Sequence, residues 1–293
     1  MKILLLGKNG QLGWELQRSL ALLGELIAVG KDGLDLSRPE SIAAIVRAVA
    51  PQIIVNAAAY TAVDKAESEP ELARAVNATS VGVLAREAVA CGSWLVHYSS
   101  DYVFDGSGQT PWVEDSPTGP LSVYGRTKLE GETLIRDSGC QHLIFRTSWV
   151  HATRGRNFAK TMLRLAQERD RLTVIDDQIG APTGADLLAD LTALALRKSR
   201  RRPEVSGTYH AVAAGETSWH GYAKHVIAVA RAAGEPIRVA PEAIEAVPTS
   251  AFPTPAKRPH NSRLNTDKLR ATFRVTLPPW QAGVERMLAE VMG

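Results

Sequence analysis

Two cysteines in 293 residues, Cys91 and Cys140, are too few for a disulfide framework, and no CxxC spacing makes them a metal or redox motif. They suit a reducing compartment, so a cytoplasmic protein is expected. Long apolar runs are missing as well. The N-terminal stretch MKILLLGKNG holds four apolar residues before a glycine, far short of a secretory h-region, and no later segment approaches a membrane span. Charge of one sign is scarce: a dispersed formal net charge of +3 argues against a nucleic-acid partner. The basic run RKSRRRPE over 197–204 ends an apolar helical pattern and meets a proline, so it reads as a solvated helix C-terminus. There are no internal repeats and no low-complexity tail. A dedicated metal motif is not evident either, since His220 and His225 have no third ligand pattern beside them. The neighbours Asp176 and Asp177 would point to opposite faces of a strand, which disfavours an acid/base pair.

What is present is an ordinary soluble composition, 45% hydrophobic and 22% charged, in a chain long enough to bury one large domain or two packed lobes. Short β-rich runs alternate with helical patterns. KILLLG (2–7), LIAVG (26–30), IIVNAAA (53–59), WLVHYSS (94–100) and HLIFRTSWV (142–150) read as strands, with helices from Gln11, Pro39 and Pro70 and around Tyr124. Continuous apolar strands separated by helices indicate an α/β fold, a Rossmann-type doubly wound parallel sheet. In DLSRPES, Ser37 and Glu40 have capping-box spacing for the second helix. The rhythm loosens after 150. Residues 1–150 are expected to form the dinucleotide-binding domain and 151–293 mainly a smaller substrate-binding lobe, with segments from about 173–212 returning to the first.

Three constellations carry chemistry. In GKNGQLG, Gly7, Gly10 and Gly13 follow the first strand and open a helix, which suits tight backbone approach to a pyrophosphate held at the helix N-terminus. No GK[ST] ends the motif, so it is not a P-loop. At the end of the second strand, where an acid would bind the ribose of NAD, the chain has Gly30 and then Lys31, a cation suited to a 2′-phosphate. This favours NADPH, while Asp32 leaves open a ribose contact and NADH. Third, Ser99 and Ser100 end the fourth strand, and Tyr124 and Lys128 lie one helical turn apart in SVYGRTKLEGE. An ammonium beside a phenol would stabilise phenolate and make the tyrosine a usable proton donor.

The glycine turn together with VNAAAYTAVDKAE, VHYSSDYVFDG, YGRTKLEGE, FRTSWV, DQIGAPT and RPHNSRLNTDKL resembles the extended short-chain dehydrogenases/reductases over nearly the whole chain, and within them the branch that acts on dTDP-4-dehydro-L-rhamnose. The resemblance implies that Tyr124 is the catalytic acid, that Lys128 binds the nicotinamide ribose and tunes it, and that Ser100 holds the substrate carbonyl. It further implies cofactor contacts from Gly10, Gln11 and Leu12, from Asp35 and Leu36, and from Ala59, Tyr60 and Thr61. Asp101 and Trp149 fall on substrate-contacting positions. It also implies a homodimer bridged by magnesium through Glu15, Asp186 and Glu290, set against three merely solvated carboxylates. Two other functions stay open: a sugar-nucleotide dehydratase or epimerase, disfavoured because Ser100 is followed by Asp101 and Tyr102 and not Asp-Glu, and a non-catalytic subunit like that of methionine adenosyltransferase.

Overall fold

Strands that bury both faces need nearly continuous apolar runs, such as KILLL and IIV here. In the computed structural model, which describes residues 1–293, six strands form one parallel sheet. They are β1 (Lys2–Leu6), β2 (Glu25–Val29), β3 (Ile53–Asn56), β4 (Trp94–Ser100), β5 (His142–Thr147) and β6 (Gly207–His210), in the order β6-β5-β4-β3-β1-β2. The period-2 alternation of a strand divides their side chains between two cores. Ile3, Leu5, Val55, Val96 and Phe145 face one side, and Leu4, Leu6, Ile54, Leu95 and Ile144 the other.

The helices covering those faces are α1 (Gln11–Ala21), α2 (Pro39–Val49), α3 (Ser80–Cys91), α4 (Val123–Ser138), α5 (Phe158–Glu168), α6 (Ala185–Ser199), α7 (Trp219–Ala232), α8 (Asp267–Phe273) and α9 (Trp280–Met292). Leu16 and Leu20 of α1, Leu188 and Leu196 of α6, and Leu269 and Phe273 of α8 cover the first face. Ile42 and Val46 of α2, Leu84 and Ala88 of α3, and Ile135 of α4 cover the second. A separate core gathers Leu163 of α5, Tyr222 and Val226 of α7 and Trp280 and Leu288 of α9 around a small parallel pair, 172–175 with 244–247.

Two local expectations change. Ser37 does not cap α2: the helix begins at Pro39, whose fixed φ and missing N–H suit the first helical position, and the Ser37 hydroxyl donates to Asp35 Oδ1 at 2.8 Å. The helix expected from Pro70 runs as Pro70–Arg74, then widens into a π turn over Ala75–Thr79 before continuing as α3. Such turns are rare and concentrate at functional sites.

Candidate active site

The sheet order reverses direction between β1 and β3, and the carboxyl ends of the strands there open into a cleft of about 660 Å³. Ligands of open α/β sheets bind at this switch point. Gly7, Gly10, Gln11, Leu12, Lys31, Asp35, Leu36, Ala59, Tyr60, Thr61, Tyr124 and Lys128 all line the cleft. Gly13 lies behind the turn and makes it feasible, because a Cβ there would sit 2.0 Å from the Gly7 oxygen. Gly7 itself has φ +89° and approaches Ala58 too closely for any side chain. Gly10 starts α1 without a side-chain cap, so the first-turn N–H groups remain for an anion. A glycine cradle, an uncapped helix N-terminus and a long cleft together fit a dinucleotide. Lys31 lines that cleft, whereas the Asp32 carboxylate folds back over Gly30, where an added Cβ would be 2.5 Å from Asp32 Oδ1.

At one end of the cleft α4 presents Tyr124 and Lys128 and β4 presents Ser99, while the buried Ser100 hydroxyl stands against the Tyr124 phenol. The Ser122 hydroxyl caps α4 by accepting from the Gly125 N–H at 3.1 Å. Gly125 allows the helix to touch the next turn of chain, since a Cβ would fall 2.2 Å from the Tyr102 oxygen. Burial pushes the Tyr124 phenol up to about 12; the Ser100 hydroxyl opposes that shift and the Asp101 carboxylate adds to it. Lys128 is 1% exposed, and burial brings its ammonium down to about 8. Its Nζ donates to the Tyr98 carbonyl at 2.5 Å and lies 3.2 Å from His97 Nε2. The ammonium is thus turned toward β4, and in this arrangement it does not lower the phenol as the one-turn spacing suggested.

Ser100 Oγ donates to Asp101 Oδ1 at 2.9 Å and accepts from the Tyr102 N–H at 3.2 Å. Burial raises the Asp101 carboxyl to about 6. Trp149 adopts φ +49°, an uncommon conformation for a bulky residue, and stacks on Trp219 with ring centroids 3.7 Å apart. Gly180 makes room for it: a Cβ there would meet Trp149 Cε2 at 2.9 Å.

Glu15, Asp186 and Glu290 do meet, around a cavity of about 40 Å³ on the far side of α1, together with His151. Each has a protein partner, and nothing in the cluster adds support to the magnesium expectation. Arg286 lies 3.3 Å from Asp186 and 3.4 Å from Glu290, Arg18 lies 3.8 Å from Glu15, and the Thr153 hydroxyl donates to Glu290 at 2.6 Å. No group of three or more His, Cys, Asp or Glu side chains is arranged to hold a metal ion. No helix is long and apolar enough to cross a membrane.

Several site residues had no signal of their own in the sequence. Asn77, inside the π turn, accepts from the Tyr60 N–H at 2.8 Å and donates to the Tyr60 carbonyl at 3.1 Å, fixing the loop that follows β3. Glu132 and Arg146 form a buried two-bond ion pair at 2.9 and 2.7 Å that ties α4 to β5. A lone polar residue beside apolar neighbours was the available hint for Asn77 and Arg146, whereas Glu132 lies in the polar run LEGET.

The family described as RmlD substrate binding domain matches residues 1–292. The chain is 59% identical to dTDP-4-dehydrorhamnose reductase of Salmonella typhimurium, covering 99% of this chain and 98% of that protein. A solved dTDP-4-dehydrorhamnose reductase from Clostridium acetobutylicum is 34% identical, with a TM-score of 0.90 and full coverage of both chains. Another, from Bacillus anthracis and in complex with NADP, is 33% identical with a TM-score of 0.87 over 99% of each chain. A glycine-turned dinucleotide cleft lined at its far end by Tyr124 and Lys128, on a chain alike from end to end to these reductases, places the protein in the dTDP-4-dehydrorhamnose reductase family of the extended short-chain dehydrogenases/reductases.

Proposed function

We propose that this chain reduces the C4 ketone of dTDP-4-dehydro-L-rhamnose to dTDP-L-rhamnose, the final step of dTDP-rhamnose synthesis, using NADPH. The observation that carries this reading is the Tyr124 phenol, which lines the dinucleotide cleft together with Lys128 and has the buried Ser100 hydroxyl beside it. The bound nicotinamide cofactor supplies the hydride. Tyr124 supplies the proton that the sugar oxygen then needs, and Ser100 holds that oxygen while charge develops on it. Gly7, Gly10, Gln11 and Leu12 would hold the pyrophosphate side, Asp35 and Leu36 the adenine side, and Ala59, Tyr60 and Thr61 the nicotinamide side. Asp101 and Trp149 would border the sugar, with the nucleotide half in the C-terminal lobe.

Lys31, whose ammonium can meet a 2′-phosphate in the cleft, favours NADPH over NADH. A higher kcat/KM with NADH would reverse that choice. Pure protein given dTDP-4-dehydrorhamnose and NADPH should consume both in equal amounts and form dTDP-L-rhamnose; no consumption of either removes the proposal. A homodimer is also part of this reading: light scattering at twice the 31.6 kDa chain mass supports it, and the single-chain mass dismisses it.

A further inference from the structure

β3 and β4 pair so that Asn56 stands directly opposite His97. Both lie two residues beyond Ile54 and Leu95, on the face those residues give to an apolar core, and each is 1% exposed. Two polar side chains buried side by side in a strand pair are costly unless their hydrogen bonds are complete. Theirs run in one direction. The Ala58 N–H donates to Asn56 Oδ1 at 3.2 Å, which leaves the Asn56 amide nitrogen facing His97 Nδ1 at 3.3 Å. That nitrogen can only donate, so Nδ1 must be the bare nitrogen of the ring. Burial, with the Lys128 charge nearby, holds the imidazole neutral, so its one proton sits on Nε2, 3.2 Å from Lys128 Nζ. An Nε2–H can donate to the lone pair of an amine, and it opposes an ammonium.

We propose that His97, with its tautomer set by Asn56, is a positioning residue that stabilises the amine form of Lys128 and so lets the lysine give up its proton. The proposal rests on the reading of Lys128 as part of the reductase site. The other groups facing Lys128 are few. Tyr124 lies one turn before it on α4, Glu132 lies one turn after it, paired with Arg146 and Arg136 yet still favouring the ammonium against the burial that disfavours it, and the Tyr98 carbonyl accepts from it. In the proton balance, Tyr124 passes its hydroxyl proton to the sugar oxygen, the Lys128 ammonium gives one to the cleft that it and the phenolate both line and the phenolate takes one from there, and the amine left behind accepts the His97 Nε2–H hydrogen bond. Solvent reaching the open cleft then returns a proton to Lys128.

The ring protonation can be read without turnover. In protein labelled with nitrogen-15 histidine, with the His97 signals assigned by their loss in His97→Gln, Nε2 should be protonated and Nδ1 bare around neutral pH. A protonated Nδ1 overturns the proposal. Asn56→Asp supplies the kinetic arm. A carboxylate draws the ring proton to Nδ1 and turns Nε2 into an acceptor for the ammonium, so the basic limb of the kcat/KM profile should move up by about one unit or more. A limb that stays in place in an active variant also overturns it. Wild-type protein that reduces no sugar at any pH defeats the functional reading instead, and the ring protonation then decides this proposal alone.

Discussion

Burial holds the Tyr124 proton tightly, with the phenol up at about 12, so the residue releases it only to a strong base. The alkoxide formed as hydride arrives is such a base. Tyr124→Phe keeps the ring and its edge-on packing against Tyr102, 5.4 Å between centroids, and removes only the donor. We expect kcat to fall by roughly 10²–10⁴-fold with the NADPH dissociation constant nearly unchanged. A folded variant that reduces the sugar at near wild-type rate would return the tyrosine to a packing role. Asp101 offers a second test at this scale. Its folded pKa, about 6, lies above the ordinary carboxylate range, so the protein is relieved of a buried charge at acid pH and loses that stability as pH rises through about 6. Asp101→Asn should therefore stabilise the chain by about 1–3 kcal/mol above neutrality and by much less near pH 4, as urea unfolding at the two pH values will show. Equal effects at both would mean that Asp101 is not the titrating group.

At the scale of elements, the position of α4 against the sheet decides whether Tyr124 meets Ser100. The helix is held from below by Glu132, which is fully buried and bonded by Arg146 from β5 and by Arg136 from its own next turn. Burial alone would raise the Glu132 carboxyl, yet the two guanidiniums leave it lowered. Removing one partner of a buried pair costs more than the pair contributes, because the remaining charge keeps its desolvation penalty. Arg146→Leu should destabilise the chain by about 3–5 kcal/mol, toward the low end because Arg136 remains, with a matching drop in the denaturant midpoint. A loss under about 1 kcal/mol would show the pair to be solvated. The π turn acts at the same scale. By widening the helix at 75–79 it lets Asn77 reach the Tyr60 backbone, which a regular helix would carry to a different angle.

Across the whole molecule, the cofactor cleft belongs to the parallel sheet, while the second core lies around α5, α7 and α9. Chain segments cross between them: Arg258 from the proline-rich stretch pairs with Asp64 at 2.7 Å, and Trp149, just past β5, stacks on Trp219 at the start of α7. A ligand that fills the cleft binds only the folded chain and must raise its stability. NADPH at about 100 times its dissociation constant should add about 2.7 kcal/mol, or roughly 5 °C in Tm, and NADH at the same concentration should add less. An unchanged Tm with either nucleotide would show that the cleft does not hold the cofactor.

The sequence by itself determined what depends on neighbours within a few residues. The apolar runs that became β1, β3 and β4, the glycine turn into α1 and the helical spacing of Tyr124 and Lys128 were all legible, because backbone period and steric freedom act locally. Tertiary structure decided the rest. Ser37 matches a capping box in sequence, yet Asp35 and Pro39 claimed the hydroxyl and the helix start. Glu15, Asp186 and Glu290 come together as the resemblance implied, and Arg286, which pairs with two of them, comes from a helix far along the chain. Lys128 is a helix-face lysine in sequence, and its actual partners, His97 and the Tyr98 carbonyl, stand 30 or 31 residues away on a strand. Asn56 and His97 read as single polar interruptions in apolar strands until β3 and β4 pair and set them opposite each other. Which donor a buried group meets depends on pairing across the sheet and on helix placement, and those follow from burying the two faces of the sheet as a whole, a condition that no window of the sequence contains.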